Sequence, residues 1–178
     1  MNLDKHIKRL ANGDKAAFEQ IYTNTQKAVY YTALSVLRDR ALAEDVMQST
    51  YLKVITNAHR YELGTNAVAW ILRITRNEAL NTQSRRQRET PVDECADDGI
   101  FGHSSPDDYG LLIDAARKTL DEEQFRIVML ITASGYKRKE IARMLDLPVS
   151  TVTWKYNQAT EKLRKVLSDN KGGANNGQ

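Results

Sequence analysis

Four polar side chains recur at every fourth position of one segment, namely Arg73, Asn77, Asn81 and Arg85. Residues four apart lie along one face of an α-helix, so these four would form a single polar row. Amides can hydrogen-bond base edges, while arginines neutralise phosphates or stack on bases. Because asparagine is a poor helix former, two of them in one row call for an explanation. Nucleic-acid binding provides one, and an ordinary solvated helix face is the alternative.

Residues 135–165 have the pattern of two helices joined by a tight turn. Ile141 and Leu145 give the first helix an apolar face, and Pro148 favours its end because the residue before a proline is disfavoured in the helical region. Ser150 is predicted to be the N-cap of the second helix. Such a pair is typical of the helix-turn-helix of DNA-binding proteins, whose second helix enters the major groove. An ordinary helical hairpin gives the same pattern.

The residue types that catalysis or metal binding needs are scattered or missing. Cys95 is the only cysteine and there are three histidines, so no zinc constellation and no internal disulfide is expected. Neither a phosphate-binding glycine loop nor a nucleophile elbow occurs. We therefore expect no enzymatic activity, no metal and no cofactor. The absence of an apolar signal core and of any apolar run of about 20 residues predicts a cytoplasmic protein without membrane insertion.

The net charge of +3 is mild, but its distribution along the chain is uneven. Residues 60–88 hold six arginines and two glutamates, and residues 111–167 hold eleven basic and seven acidic side chains. Between them, residues 89–110 hold seven carboxylates and no lysine or arginine. Two basic segments that flank an acidic one indicate nucleic-acid contacts from both ends of the chain.

Apolar residues recur at helical rather than alternating spacing, which predicts an all-α fold of two small helical domains joined by a flexible acidic linker. The domains are predicted at residues 1–88 and 110–168, with the linker at 89–109 and a disordered tail at 169–178. The expected helices cover residues 14–39, 41–58, 66–87, 110–119 and 122–133, followed by the helix-turn-helix. Expected caps are Asp14, Thr65 or Asn66, and Asp121.

The second of these helices carries a further polar patch. Glu44, Asp45 and Gln48 lie within about a turn of one another and face away from Val46. They can simply complement the positive end of the helix dipole, or they can receive a basic protein partner. Four apolar residues of this helix are expected to point inward: Leu42, Val46, Leu52 and Ile55.

Three segments in this order resemble the extracytoplasmic-function group of bacterial sigma-70 family RNA polymerase sigma factors. Residues 43–55, AEDVMQSTYLKVI, look like the family's core-binding helix, and residues 69–88 look like its promoter-melting helix. Residues 140–167 are similar to its reader of the upstream promoter element. The resemblance implies a region 2 helical bundle and a region 4 helix-turn-helix. It also implies promoter-specific transcription initiation through the −10 and −35 elements.

The resemblance implies roles for three sets of residues. For the −10 element they are Arg60, Trp70, Arg73, Asn77, Asn81 and Arg85. For the −35 element they are Ser150, Thr151, Thr153, Trp154, Lys155, Asn157 and Gln158. For core RNA polymerase, through its clamp helices, they are Glu44, Asp45, Gln48 and Lys53. The polymerase flap, promoter DNA and an anti-sigma factor are the other partners implied.

Several residues depart from the family pattern. Trp154 and Lys155 replace a Ser-Arg pair, Gln158 replaces an arginine, and Lys137 replaces a capping serine. Gln158 is expected to favour adenine over the guanine that an arginine reads. The acidic linker is hypothesised to mimic nucleic acid in the RNA channel. The alternative function is a stand-alone helix-turn-helix regulator, with residues 1–88 for dimerisation or sensing.

Overall fold

The computed structural model describes residues 3–89 and 108–172, and in these ranges the chain is helical with no strand. The α-helices are α1 (Leu3–Ala11), α2 (Ala16–Leu37), α3 (Arg40–Asn57), α4 (Ala67–Glu89), α5 (Asp108–Thr119), α6 (Glu122–Thr132), α7 (Arg138–Leu145) and α8 (Val149–Gly172). A short 3-10 helix, Ala58–Arg60, follows α3. The all-α prediction is confirmed. Most of the predicted linker (90–107) and the last six residues of the predicted tail lie outside the described residues.

Helices α1 to α4 form the first domain, in which the long α2 packs against the other three. Its core includes Ile21, Leu34, Val54 and Ile71, all fully buried. Side-chain caps begin two of these helices, at Asn66 as predicted and at Asp39, which was not predicted as a cap. The Asp39 carboxylate accepts a hydrogen bond from the Leu42 amide at 3.1 Å, and the Asn66 carbonyl accepts one from the Ala69 amide at 3.1 Å.

Helix α1 is an element that the sequence pattern did not predict. Leu3, Ile7 and Leu10 recur at helical spacing within it, and the last two are buried. In the turn between α1 and α2, the Asp14 carboxylate accepts a hydrogen bond from the Ala16 amide at 3.0 Å. The helix is only nine residues long, so packing against α2 rather than its own propensity stabilises it.

The expectation that Leu52 and Ile55 point inward was wrong. Their side chains are 65% and 43% exposed. The buried side of α3 instead follows the four-residue step from Val46 through Thr50 to Val54. Leu52 lies two residues from each of the last two, which on a helix turns it to the opposite side.

Helices α5 to α8 form the second domain around Phe125, Leu130, Ile141 and Val152. The Asp121 carboxylate caps α6 by accepting from the Gln124 amide at 2.8 Å, as predicted. The chain turns between α7 and α8 at Asp146, whose left-handed φ of 54° ends α7 before the proline.

Helix α8 differs from its prediction at both ends. It begins at Val149, with the Val152 amide bonded to the Pro148 carbonyl, so Ser150 lies inside the first turn and is not the N-cap. Proline is well suited to the start of a helix because its missing N–H would be unpaired there in any case. At the other end, residues 169–172 continue the helix although they were assigned to the tail.

Candidate nucleic-acid interface

The polar row on α4 lies on the exposed side of the helix, as predicted. Arg73, Asn77, Asn81 and Arg85 are all exposed. The opposite side holds Ile71, Thr75 and Ala79, which are fully buried. The first domain therefore presents arginine and amide groups along about three turns of one helix, with no structural task visible for the amides.

At the N-terminal end of that row, two aromatic rings support the preceding loop. Tyr61 and Trp70 have ring centroids 5.2 Å apart. The Tyr61 hydroxyl donates to the Asp4 carboxylate and lies 3.0 Å from the Thr65 carbonyl. Burial, and secondarily the Asp4 carboxylate, raise the pKa of Tyr61 to about 12. Helix α1 thus helps to hold the loop beside Trp70, and Arg60 is exposed at its edge.

A cleft between the two domains contains part of this surface. Arg60, Trp70 and Arg73 line it from the first domain, and Asp121, Glu122 and Glu123 line it from the start of α6. One ion pair crosses the cleft directly, because Arg76 Nε lies 2.9 Å from Glu122 Oε1. The acidic end of α6 consequently faces the arginine-rich surface of α4. Asn77, Asn81 and Arg85 lie outside the cleft lining.

The outer face of α8 is the second candidate surface. Val152, Ala159 and Leu163 bury the inner face, while Ser150, Trp154 and Asn157 are exposed on the outer one. Thr151 and Thr153 lie half-buried at its sides, and the Thr153 hydroxyl donates to the Val149 carbonyl at 2.9 Å.

Two predicted DNA-contacting residues of α8 also interact with α6, Lys155 from a partly buried position and Gln158 from an exposed one. Lys155 Nζ lies 2.5 Å from Glu123 Oε2, and its side chain is only 24% exposed. Gln158 Oε1 accepts a long, 3.4 Å hydrogen bond from Gln124 Nε2. Lys162 Nζ donates to the other amide atom, Gln124 Oε1, at 2.8 Å. The buried Gln124 therefore connects α6 to α8.

The third surface is on α3. Glu44, Asp45 and Gln48 are exposed there, as predicted. Lys53 is also half exposed, and its ammonium lies 2.5 Å from the Glu78 carboxylate of α4. Leu52 and Ile55 add an exposed apolar strip to this helix. Sequence reasoning missed that strip, although the four-residue step through Val46 would have revealed it.

Each of the two basic helical domains matches a known family model. A model of sigma-70 region 2 matches residues 21–89, and a model of sigma-70 region 4 matches residues 111–163. Together they span about two thirds of the chain. The chain belongs to the sigma-70 family, as an extracytoplasmic-function sigma factor. The resemblance inferred from three short segments is thus confirmed, and a sigma factor is favoured over a stand-alone regulator.

Similar proteins cover nearly the whole length of this sigma factor. The RNA polymerase sigma factor CarQ of Myxococcus xanthus is 29% identical, over 92% of this chain and 96% of CarQ. The extracytoplasmic-function sigma factor SigK of Mycobacterium bovis is 28% identical, over 93% of this chain and 94% of SigK. Within the described residues, no helix has the length and apolar character needed to cross a membrane.

Two solved structures share the fold. CnrH, solved in complex with the cytosolic domain of CnrY, has a TM-score of 0.65 and 18% identity, and the match covers 93% of this chain and 97% of CnrH. The sigma factor RpoE of Bartonella quintana, solved with the anti-sigma factor NepR, has a TM-score of 0.60 and 24% identity, over 85% of this chain and 96% of RpoE.

Proposed function

We propose that this sigma factor recruits core RNA polymerase to its promoters by gripping DNA at two points. The exposed row on α4 reads and holds the −10 element, and the outer face of α8 enters the major groove of the −35 element. The observation that carries the proposal is the presence of two exposed polar helix faces in domains matched as regions 2 and 4.

At the −10 element, the exposed amides of Asn77 and Asn81 suit hydrogen bonds to base edges, and Arg73 and Arg85 suit phosphates. Single-stranded bases can stack on aromatic and guanidinium planes. Trp70, supported by the Tyr61 ring, and Arg60 at the edge of the loop provide such planes. The −10 surface therefore combines base recognition with a place for an unpaired base.

At the −35 element, the residues proposed to contact DNA are Ser150, Thr151, Thr153, Trp154, Lys155, Asn157 and Gln158. Ser150, Trp154 and Asn157 point outward and suit base edges. Lys155 and Gln158 approach DNA from the side that faces α6. Because Glu123 already neutralises Lys155, its contribution to phosphate binding depends on that pair.

Core polymerase is proposed to bind on α3, through Glu44, Asp45, Gln48 and Lys53 toward the clamp helices. The exposed Leu52 and Ile55 give this polar patch the apolar centre that a stable protein interface needs. The second domain is proposed to contact the flap. An anti-sigma factor is a further proposed partner, as in the solved RpoE complex.

The proposed domain limits are 1–88 and 110–168, with 89–109 as an acidic linker that occupies the RNA channel as a nucleic-acid mimic. We place the protein in the cytoplasm, where transcription takes place. It performs no catalytic step itself, since the polymerase supplies the nucleotide chemistry.

Run-off transcription with core polymerase on a genomic promoter library tests the proposal. The wild-type protein should initiate at a small promoter set, whereas the protein without core should not bind those duplexes tightly. Asp45→Lys should abolish core binding by reversing a charge in the α3 patch. Arg73→Ala should leave core binding intact and lower open-complex formation about tenfold. Tight duplex binding by a dimer without polymerase would instead establish a stand-alone regulator.

A further inference from the structure

Trp154 is a large aromatic side chain that the fold leaves in solvent. It is 57% exposed, although tryptophan is usually buried over most of its surface. The core contacts of α8 are made by Val152, Ala159 and Leu163, which are buried on the other side of the helix. Stability of the second domain therefore does not explain the tryptophan.

The position of Trp154 places it where a recognition helix touches bases. It is the sixth residue of α8, one turn after Ser150 and three residues before Asn157, and all three are exposed. The N-terminal turns of the second helix in a helix-turn-helix are the part that contacts base edges. Lys155, the basic neighbour, is held by Glu123 on α6. Trp154 therefore projects from the middle of the exposed row.

The chemistry of the indole limits what it can recognise in the major groove. It has a single N–H donor and no acceptor, and the rest of its surface is apolar. Among the four bases, only thymine presents an apolar group there, its 5-methyl. The indole N–H can pair with an acceptor on guanine, adenine or thymine alike, so that bond excludes only cytosine, whose N4 is a donor, and the thymine methyl is the contact that distinguishes one base.

We propose that Trp154 determines specificity at the −35 element by packing its indole against the 5-methyl group of one thymine. This rests on the proposed function, because it assumes that α8 enters the −35 major groove. It predicts that the preference at one position depends on a methyl group and not on a hydrogen bond. The element should thus contain a thymine that cannot be replaced by uracil without loss.

The methyl group can be removed alone by substituting deoxyuridine for thymidine. A −35 element is first selected from a random library with wild-type holoenzyme, and each thymine is then replaced in turn. At one position, promoter binding and run-off should fall about threefold to tenfold, the value of burying a methyl group plus its contacts. Trp154→Ala holoenzyme should bind the unmodified promoter more weakly and lose no further affinity at that position.

Asn157→Ala provides the matched control on the same face. It should weaken promoter binding while leaving the thymine-to-uracil ratio of the wild type unchanged. Thermal unfolding of Trp154→Ala should match wild type, because the side chain is exposed. Insensitivity of wild-type holoenzyme to every replacement, or an unchanged ratio in Trp154→Ala, would overturn the proposal. Run-off from the unmodified promoter tests the proposed function separately, and its absence with every promoter would overturn both.

Discussion

At the scale of single residues, Arg38 combines an unfavourable backbone conformation with favourable side-chain contacts. It ends α2 in the left-handed conformation, with φ of 58°, a position where glycine is the usual residue. Its guanidinium also crosses to the second domain, donating to the carbonyls of Arg117 and Leu120 and lying 5.2 Å from the centre of the Phe125 ring. Burial lowers the pKa of Arg38, but the group stays charged at neutral pH.

Two substitutions distinguish the energy of the side-chain contacts from the strain of the backbone. Arg38→Ala should lower the free energy of unfolding by about 1–2 kcal/mol, since it removes hydrogen bonds from a charged donor and keeps the strained backbone. Arg38→Gly removes the same bonds but relieves about 1 kcal/mol of strain, so it should be the more stable variant. Urea denaturation measures both. Arg9→Ala, at an exposed pair with Asp14, is the control and should cost less than 1 kcal/mol. Equal stability of the alanine and glycine variants would rule out the strain.

At the scale of elements, the helices themselves were predictable because apolar spacing and caps agree. Asp121 and Asn66 begin helices where the pattern placed them. The errors arise where the local signal is short or out of phase. Helix α1 has only three large apolar residues, and α3 was assigned an inward face that included Leu52 and Ile55, which are exposed. In a sequence, apolar residues that are exposed on a helix surface cannot be distinguished from apolar residues that are buried in the core.

The two asparagines of the polar row on α4 are predicted to lower the stability of the helix while they contribute to promoter binding. Asn77→Ala and Asn81→Ala should each raise the free energy of unfolding by about 0.5 kcal/mol, because alanine is the better helix former and both sites are exposed. The same changes should lower promoter opening by holoenzyme. Calorimetry and permanganate footprinting provide the two readouts. Thr82→Ala on the same helix serves as the control, and unchanged promoter opening in both asparagine variants would remove them from the −10 surface.

Helix α6 holds a lysine of α8 through Glu123. Glu123→Gln should free the Lys155 ammonium for a phosphate, because the ion pair at 2.5 Å would be lost. Holoenzyme binding to the −35 element should then tighten a few-fold at low salt, and its dependence on salt should steepen by about one phosphate contact. A salt titration measures this. Glu19→Gln, at an exposed position on α2, makes the same charge change away from α8. An unaltered salt slope would mean that Lys155 does not reach the backbone.

At the scale of the whole molecule, the packing of the two domains could not be predicted from sequence patterns. Helix α2 contacts α6 and α4 contacts α7, and one apolar cluster includes Leu34 of the first domain and Phe125 of the second. Periodicity reports which side of a helix is buried but not which neighbour buries it. The sequence also shows which residues at this contact are charged, but it does not show which of them form ion pairs across it.

This packing has a functional consequence, because Arg60, Trp70 and Arg73 share a cleft with the acidic start of α6. The second domain forms one wall of that cleft, so under the proposed function we expect the domains to separate when the −10 element binds. Two interdomain ion pairs oppose separation, Arg76 with Glu122 and Arg40 with Asp114, each at 2.9 Å. Both pairs are partly exposed, so each contributes about 0.5 kcal/mol.

Neutralising both carboxylates should shift the population toward separated domains. Free Glu122→Gln/Asp114→Asn protein should bind a single-stranded −10 oligonucleotide about twofold to fivefold more tightly than wild type, and its radius of gyration in X-ray scattering should rise. Holoenzyme made with the same variant should match wild type, because we expect polymerase binding to separate the domains beforehand. Glu161→Gln/Glu19→Gln removes the same two charges, at the α8 pair with Arg164 and at an exposed position on α2, so it controls for the change in charge. If it increases oligonucleotide binding equally, the gain comes from net charge and the two interdomain pairs do not hold the cleft closed.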